Sequence, residues 1–289
     1  MNSNASFSPP VALVTGATAG LGLAIGRALL REGYQLILVA RDPQRLNDVV
    51  QTLSAEGAVV PVSLPCDVSD PEQVGRLCQQ VDERYGRLDV LVNVVGTSDR
   101  GMVVDLGPER VAQLITANVV TALLCSQACL PLLERSGGCV VNIGSLASKV
   151  GARFLGGYPL AKHALAGLTQ QMRLEWRPRG VHVGLISPGP IRRADAGRRY
   201  EQQVQQGSGL PAQAAQPGGG TRVKGLPPER VAQAVVRMIR RRSADVILPW
   251  HLRPLVAIGH CWPALGDWLL LRFTSSAPSR TPPPPPAES

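Results

Sequence analysis

The sequence predicts a single α/β domain built on a doubly wound parallel sheet with flanking helices. Three observations support this prediction. Short apolar runs alternate with segments of helical periodicity, a glycine-rich turn joins the first run to the first helical segment, and no internal repeat of solenoid length is present. A chain of 289 residues is long enough to bury one full core.

The predicted strands are short and bounded by turn residues, as is typical of strands in a parallel sheet. They cover residues 11–14, 35–40, 58–62, 90–92, 140–144, 181–186 and 245–248. Helical periodicity lies between them, first at Leu21, Ile25, Ala28 and Leu29 and then at about residues 44–55, 70–85, 108–134 and 158–177. Strands that alternate with helices in this way indicate parallel pairing.

The first predicted strand leads directly into a glycine-rich turn. Gly16, Gly20 and Gly22 lie between that strand and the first helix. Such a turn lets the backbone approach a pyrophosphate, and the helix N-terminus offers unpaired N–H groups. The spacing is G-x-x-x-G-x-G, which differs from the generic G-x-G-x-x-G. Alone, it is compatible with a dinucleotide site or with a tight turn and close helix packing.

A Tyr-x-x-x-Lys pair, Tyr158 and Lys162, begins the helix predicted at residues 158–177, and Pro159 suits its first turn. Residues four apart lie on one helix face, so the phenol and the ammonium can address one ligand. A free tyrosine has a pKa of about 10, and a neighbouring cation favours the phenolate. With the hydroxyl of Ser145, the pair is suited to move a proton to or from a carbonyl oxygen. A surface pair without function has the same spacing.

Taken together, these features resemble the short-chain dehydrogenase/reductase family from about Pro10 to about Pro249. The motifs occur in the family's order. They are the turn from Thr15 to Gly22, then Asp67-Val68, Asn93 with Gly96, Asn118, Ser145, Tyr158 with Lys162, and Ser187-Pro188-Gly189. The resemblance implies a Rossmann-type fold and an NAD(P)-dependent oxidoreductase that interconverts a carbonyl and a secondary alcohol.

The resemblance also implies roles for individual residues. Ser145 would position and polarise the substrate carbonyl, and Tyr158 would exchange its proton with the carbonyl oxygen. Lys162 would hold the nicotinamide ribose and lower the tyrosine pKa, while Asn118 would support a water relay. The expected cofactor-binding residues are Thr15, Gly16, Thr18, Gly20, Leu21, Gly22, Arg41, Asp67, Val68, Asn93, Gly96, Tyr158, Lys162, Pro188 and Gly189.

Three features of the sequence, at four positions, depart from the family's pattern. Val94 and Val95 follow Asn93 where Asn-Ala is usual. Arg193 stands where a threonine often bonds the nicotinamide amide, and His163 stands where a small residue is commoner. Because no reacting group is lost, catalysis is the leading interpretation. The departures keep open a different class of function, that of a dinucleotide-binding sensor or scaffold with little turnover.

Charged residues directly after the second predicted strand bear on cofactor choice. That strand ends in Arg41 and Asp42. A guanidinium suits a 2′-phosphate on the adenosine ribose, whereas a carboxylate suits a free 2′-hydroxyl. Because Arg41 comes first, we expect NADP, and Asp42 keeps NAD open as the alternative. A solvated charge at a strand end would have the same pattern.

Composition argues against several other functions. The formal net charge is +9, but the arginines are scattered and no nucleic-acid motif accompanies them, so nucleic acid is not an expected partner. Six cysteines lack the spacing of a metal site or a redox pair. Cys125 and Cys129 are expected to be reduced packing residues. The first ten residues lack an apolar core, which predicts a cytoplasmic protein, and the family resemblance implies a homo-oligomer.

The sequence divides into four regions around the predicted catalytic domain. Residues 1–9 are expected to be flexible, 10–249 to form the domain, 250–274 to form an apolar segment, and 275–289 to be a disordered proline-rich tail. Within the domain, residues 192–226 are rich in Arg, Gln, Gly and Pro. They are expected to form a mobile lid over the active site, with a disordered surface insertion as the alternative.

The apolar segment is too interrupted by polar residues and prolines to predict a transmembrane helix. Trp250, Trp262 and Trp268 lie near cationic residues. Three interpretations remain open: peripheral contact of residues 250–273 with a membrane surface, enclosure of a lipophilic substrate, or packing against the core or a partner subunit.

Overall fold

The computed structural model describes residues 9–56, 59–192, 200–201, 204, 209–215, 218 and 223–274. The predicted flexible N-terminus, apart from residue 9, and the predicted disordered tail lie outside the described residues. So do Arg193 and much of the predicted lid.

Seven parallel strands form one sheet in the order β3-β2-β1-β4-β5-β6-β7. Their bounds are β1 Val11–Thr15, β2 Gln35–Ala40, β3 Val62–Pro65, β4 Val90–Asn93, β5 Cys139–Ile143, β6 His182–Pro188 and β7 Asp245–Leu248. Val14 pairs with Leu38 on one side and with Val92 on the other, so the strand order reverses at β1. In such sheets ligands bind beyond the carboxyl ends of the strands at this switch point.

Helices cover both faces of the sheet. Their bounds are α1 Gly20–Arg31, α2 Pro43–Glu56, α3 Pro71–Tyr85, α4 Pro108–Ile115, α5 Thr121–Ser136, α6 Tyr158–Trp176, α7 Pro228–Arg241, α8 Arg253–Cys261 and α9 Pro263–Thr274. One core layer contains apolar side chains of α1, α2 and α7, and the other contains those of α3, α5 and α6. Because both faces of the central strands are covered, those strands are mostly apolar and buried.

The third strand lies closer to the C-terminus than predicted. The prediction of residues 58–62 is wrong, because the strand is Val62–Pro65, and Ile37 to Ala40 of β2 pair with it. Val60 is 61% exposed. This strand forms the sheet edge and is only partly buried, so its register follows from pairing with β2 and not from its own apolar pattern.

The helix predicted at residues 108–134 is interrupted by a π-helical turn. α4 passes into the turn Thr116–Val120, and α5 then continues to Ser136. The whole stretch Pro108–Ser136 is long and apolar enough to cross a membrane, but a buried core helix passes the same test. Here Cys125 and Cys129 are buried in the sheet-facing core as free thiols, which confirms their predicted packing role.

The apolar C-terminal segment forms a short helical hairpin. α8 has 9 residues and α9 has 12, both well below the roughly 20 residues that a spanning helix needs. The two helices meet at their glycines: a Cβ atom added to Gly266 would lie 2.6 Å from the Cα atom of Gly259. Around the hairpin, Trp250, Trp262 and Trp268 are each more than half exposed.

Candidate active site

A single cleft lies at the carboxyl ends of the strands and has a volume of about 2260 Å³. Almost all of the predicted site residues line it. They are Gly16, Thr18, Gly20, Leu21, Gly22, Arg41, Asp67, Val68, Gly96, Asn118, Ser145, Tyr158, Lys162, Pro188 and Gly189. The residues that departed from the family's pattern, Val94, Val95 and His163, also line this cleft.

Backbone conformation or lack of space favours glycine at each of the three glycines in the turn at the start of α1. Gly16 and Gly20 have positive φ angles of 65° and 54°. A Cβ atom on Gly22 would lie 2.1 Å from the carbonyl oxygen of Gly16. The N-cap residue Ala19 gives α1 no side-chain cap, so the first N–H groups of the helix are not capped by it. The turn therefore offers the backbone and the helix end that an anionic ligand requires.

Two predicted cofactor residues, Thr15 and Asn93, do not line the cleft. The Thr15 hydroxyl accepts hydrogen bonds from the backbone N–H groups of Val94 and Val95, at 3.0 and 3.3 Å. The Asn93 amide donates to the Asn142 side chain at 2.9 Å. These bonds tie the ends of β1, β4 and β5 together beneath the cleft. Direct cofactor contact by Thr15 and Asn93 stays a prediction.

Tyr158 and Lys162 lie on the face of α6 that borders the cleft. The Lys162 ammonium is 5.8 Å from the centroid of the Tyr158 ring. It also donates a hydrogen bond to the backbone carbonyl of Ile143 at 3.0 Å, which fixes it beside the end of β5. Burial lowers the pKa of Lys162 to about 8. The phenol thus lies next to a fixed, buried amine.

Asn118 lies in the π-helical turn, and such turns often occur at functional sites. Its amide nitrogen donates to the backbone carbonyls of Thr97 and Leu114, both at 2.9 Å. These two bonds orient the side-chain oxygen, which is buried and has no hydrogen-bond partner among the described residues. A Cβ atom on Gly96 would lie 2.6 Å from this oxygen and 3.4 Å from the Lys162 ammonium nitrogen.

Ser145 follows β5 directly and begins a short 3₁₀ turn. Its hydroxyl oxygen accepts a hydrogen bond from the backbone N–H of Ala147 at 3.1 Å. Its own N–H donates to the Ser148 hydroxyl at 3.0 Å. This reciprocal cap fixes the Ser145 side chain at the cleft. The hydroxyl keeps its proton to donate to a ligand oxygen.

Sequence reasoning did not predict the support beneath Tyr158. The Asp99 carboxylate is buried, pairs with the Arg110 guanidinium at 2.9 Å and accepts a hydrogen bond from the N–H of Gly157 at 3.2 Å. The neighbouring Gly101 also pairs with Leu155 as a parallel bridge. These contacts hold the residue immediately before Tyr158, and they therefore set the direction in which α6 begins.

A second residue of the same loop, Arg100, was also not predicted. It is 93% buried in the cleft wall, where burial lowers the pKa of its guanidinium and the nearby Tyr200, Tyr158 and Asp99 oppose that shift. Its guanidinium donates to the backbone carbonyls of Asp99 and Ala214. Tyr200 and Ala214 belong to the predicted lid. Arg100 therefore joins described parts of the lid to the loop beside Tyr158.

The far end of the cleft carries the residues predicted to select the cofactor. Asp42 accepts a hydrogen bond from the N–H of Arg45 at 3.1 Å and forms an ion pair with its side chain at 3.3 Å. Asp67 accepts two hydrogen bonds from Ser69, which lower the pKa of its carboxyl group. The Asp42 carboxylate is thus engaged in its own helix start, while Arg41 borders the cleft beside it.

The chain is similar to known proteins over much of its length. The family profile described as short chain dehydrogenase matches residues 10–205. Ketoacyl reductase 1 of the granaticin polyketide synthase, from Streptomyces violaceoruber, is 38% identical over 183 residues, covering 62% of this chain and 67% of that protein.

Solved structures extend the likeness over most of the fold. An alcohol dehydrogenase from the archaeon Thermococcus sibiricus, complexed with 5-hydroxy-NADP, is 30% identical, covers 83% of this chain and 96% of its own, and has a TM-score of 0.69. A short-chain dehydrogenase from Sphingobium yanoikuyae in complex with NADPH is 26% identical, covers 89% and 96%, and has a TM-score of 0.70.

These matches confirm the predicted doubly wound α/β fold and the family to which the motifs pointed. The seven-stranded sheet, the glycine turn and the cleft at its switch point are all present in the described part of the chain. The chain belongs to the short-chain dehydrogenase/reductase family of oxidoreductases, which act on alcohol and carbonyl groups.

Proposed function

We propose that this protein interconverts a carbonyl and a secondary alcohol with NADP(H), and that Tyr158 is the general acid and base. The observation that carries the proposal is the convergence of Tyr158, Lys162, Ser145 and Asn118 on one cleft that begins at the glycine turn. Each has a different chemical capacity, and together they suffice to move one proton to or from an oxygen atom.

In the reduction direction, the substrate oxygen accepts hydrogen bonds from Ser145 and Tyr158. NADPH bound in the cleft would supply a hydride to the carbonyl carbon. As negative charge develops on the oxygen, Tyr158 transfers its proton to it, and the Ser145 hydroxyl stabilises that charge. Lys162 favours the resulting phenolate because its ammonium lies within 5.8 Å of the tyrosine ring.

The proton that Tyr158 gives up is replaced through Lys162 and Asn118. The ammonium group has three N–H donors, of which one bonds the Ile143 carbonyl. The buried Asn118 oxygen accepts no hydrogen bond from the described residues and lies close to the same glycine, Gly96. A water molecule bound between the Asn118 oxygen and the ammonium would satisfy that acceptor and relay a proton.

The residues at the adenosine end fit NADP better than NAD. Arg41 offers a guanidinium for a 2′-phosphate. Asp42 would be the acceptor for a free 2′-hydroxyl. Its two carboxylate oxygens instead contact the backbone N–H and the side chain of Arg45. The relatives from Thermococcus sibiricus and Sphingobium yanoikuyae bind a modified NADP and NADPH, respectively, which supports the same choice.

The finer predictions about location and partners are also proposals. We expect a homo-oligomer, on the family resemblance, and a cytoplasmic location. The C-terminal segment 250–273 would be able to rest on a membrane surface. Three exposed tryptophans suit that contact. Sedimentation with anionic liposomes tests the membrane contact, and light scattering in solution tests the oligomeric state. Unchanged sedimentation would exclude the membrane contact, and a monomeric mass would exclude the oligomer.

A screen of carbonyl compounds with NADPH tests the proposed reaction. We expect NADPH oxidation to match formation of the corresponding alcohol, identified by mass spectrometry, in equal amounts. The alternative of a dinucleotide-binding sensor predicts something else. Tight NADPH binding without alcohol formation from any compound in the screen would favour the sensor and overturn the enzyme.

A further inference from the structure

The cleft is larger than the sites that small molecules and cofactors commonly occupy. Sites for small molecules commonly have volumes of about 300–1,000 Å³, whereas this cleft has about 2260 Å³. The glycine turn and Arg41, the side chains of Ser145 and Tyr158, and residues of the C-terminal hairpin formed by α8 and α9 all line this one cleft.

The hairpin contributes an apolar wall to the cleft. Leu252, Leu255 and Val256 line it from the start of the hairpin and from α8, and Leu269 lines it from α9. Val150 and Leu155, from the loop that leads to Tyr158, line the cleft on the domain side. The cleft that contains Tyr158 therefore has apolar side chains from two separate parts of the chain.

Contacts with the other described residues leave these apolar side chains partly exposed. Leu255 is 46% exposed, and Val256 and Leu269 are only partly buried. Burying about 25 cal/mol per Å² of apolar surface is the main source of affinity for an apolar ligand. A substrate with an apolar body would cover these side chains, whereas a small polar one would leave them in water.

We propose that the α8–α9 hairpin is one wall of the substrate site and that the substrate is a lipophilic carbonyl compound or alcohol, with an extended apolar chain or ring system beside the reacting group. This inference rests on the proposed function and names its substrate class. The reaction balances as proposed above: one hydride from NADPH reaches the carbonyl carbon, one proton from Tyr158 reaches the oxygen, and NADP⁺ and the alcohol are released.

Of the three interpretations of the C-terminal segment, the proposal selects substrate enclosure for the inner face of the hairpin, which is the face that lines the cleft. The polar residues His260 and Asp267 also border the cleft. The imidazole of His260 contacts the Val256 carbonyl of its own helix at 2.8 Å. The inner face thus mixes a few polar groups with an apolar majority, as is usual for sites that orient a hydrophobic ligand.

A homologous series of methyl ketones, from methyl ethyl ketone to methyl octyl ketone, tests the proposal. Each methylene buried against an apolar wall adds about 0.8 kcal/mol, which is about a fourfold gain in kcat/KM. We expect this gain over several successive methylenes in the native protein. If kcat/KM did not rise with chain length while the short ketones were reduced, the lipophilic site would be wrong and the proposed function would stand.

Matched variants then locate the wall. The inner variant V256T/L269Q places polar groups at the cleft, and the outer variant L265Q/W268Q places them on the exposed side of the same hairpin. We expect the inner variant to lose at least about tenfold in kcat/KM for the longest ketone and to retain methyl ethyl ketone reduction. The outer variant is expected to have the kcat/KM of the native protein for both ketones.

NADPH affinity and thermal unfolding of both variants control for misfolding. If the inner variant kept the native gain per methylene, the hairpin would not be the wall. Absence of reduction for every ketone, short or long, in the native protein would overturn the inference and the proposed function together.

Discussion

The guanidinium of Arg100 lies over the ring of Tyr200, 3.8 Å from its centroid. The contact joins the loop after β4 to the described part of the predicted lid. The same guanidinium lies close enough to Tyr158 to interact with it electrostatically. The position of the predicted lid and the electrostatic environment of Tyr158 are therefore coupled through the buried Arg100 guanidinium.

Replacement of Arg100 by methionine is expected to loosen the lid and to lower kcat/KM for the carbonyl substrate about tenfold. A desolvated cation–π contact contributes up to about 2 kcal/mol, which sets the scale of this loss. NADPH affinity should not change, because the glycine turn and Arg41 are untouched. Steady-state kinetics and NADPH titration measure the two effects.

Arg84 provides a matched control, since its guanidinium lies 5.6 Å from the ring of Tyr85 on the surface, away from the cleft. The variant R84M should keep native kinetics. Equal effects of R100M and R84M on kcat/KM would contradict a specific role for Arg100.

Replacement of Gly96 by alanine is expected to abolish most activity while the fold is retained. The added methyl group would lie 2.6 Å from the Asn118 oxygen and 3.4 Å from the Lys162 ammonium nitrogen. The Asn118 side chain must move to relieve the 2.6 Å approach, and the proposed water site between it and Lys162 would be lost. We expect kcat to fall at least about 100-fold, as for loss of an acid–base contribution.

Gly75 in α3 is the control, because a Cβ atom there meets no atom within 4 Å. The variant G75A should stay active and gain up to about 1 kcal/mol in unfolding free energy. Circular dichroism during urea unfolding measures that gain. Native kcat in G96A would show that the Asn118 oxygen and Lys162 do not need this space.

Much of the fold and most of the candidate site follow from sequence, because both depend on local patterns. Apolar strand runs and the glycine turn predict the sheet and its switch point, and Tyr158 and Lys162 share a helix face by spacing alone. The third strand was misplaced because its edge position leaves it partly exposed. There, pairing with β2 decides the register, and no local pattern records it.

The support beneath the site could not be predicted for a different reason. Asp99 meets Gly157 across 58 residues, and Arg100 meets Ala214 across 114 residues. Both contacts depend on loop conformations that have no periodic signal. The cleft-facing side of the C-terminal hairpin was likewise one of three interpretations, because an apolar segment does not specify what covers it.

The pKa of Lys162 predicts how cofactor binding depends on pH. Burial lowers this pKa to about 8, so the folded protein loses the ammonium proton at lower pH than the unfolded chain does. Above that pH the amine becomes neutral and is a weaker partner for the cofactor. NADPH affinity should therefore be constant towards neutral pH and should weaken as pH rises through about 8.

The measurement is NADPH fluorescence titration in a Y158F background, so that no phenol ionises. The double variant Y158F/K162M should bind NADPH more weakly and should lack the decline near pH 8. The stability effect has the opposite sign. Between about pH 8 and the ordinary lysine pKa of 10.5 the unfolded chain binds more protons, so Lys162 makes the fold more stable as pH rises through that range. A decline that persisted in the double variant would assign it to another group.

Cofactor selection is expected to depend on Arg41. The variant R41A should raise the KM for NADPH by about 10- to 100-fold, the scale of one or two charge-assisted hydrogen bonds, and leave the KM for NADH nearly unchanged. The control variant R31A removes an exposed arginine on α1, outside the cleft, and should change neither constant. A native preference for NADH over NADPH would contradict the assignment before any variant was made.

The central claim is that the Tyr158 hydroxyl delivers the proton while the cofactor delivers the hydride. A single-turnover experiment with preformed enzyme–NADPH complex tests it directly, because it separates chemistry from binding and product release. The account predicts that Y158F binds NADPH with native affinity and forms alcohol at least about 100-fold more slowly than the native protein. Alcohol formation by Y158F at a rate close to native would contradict it.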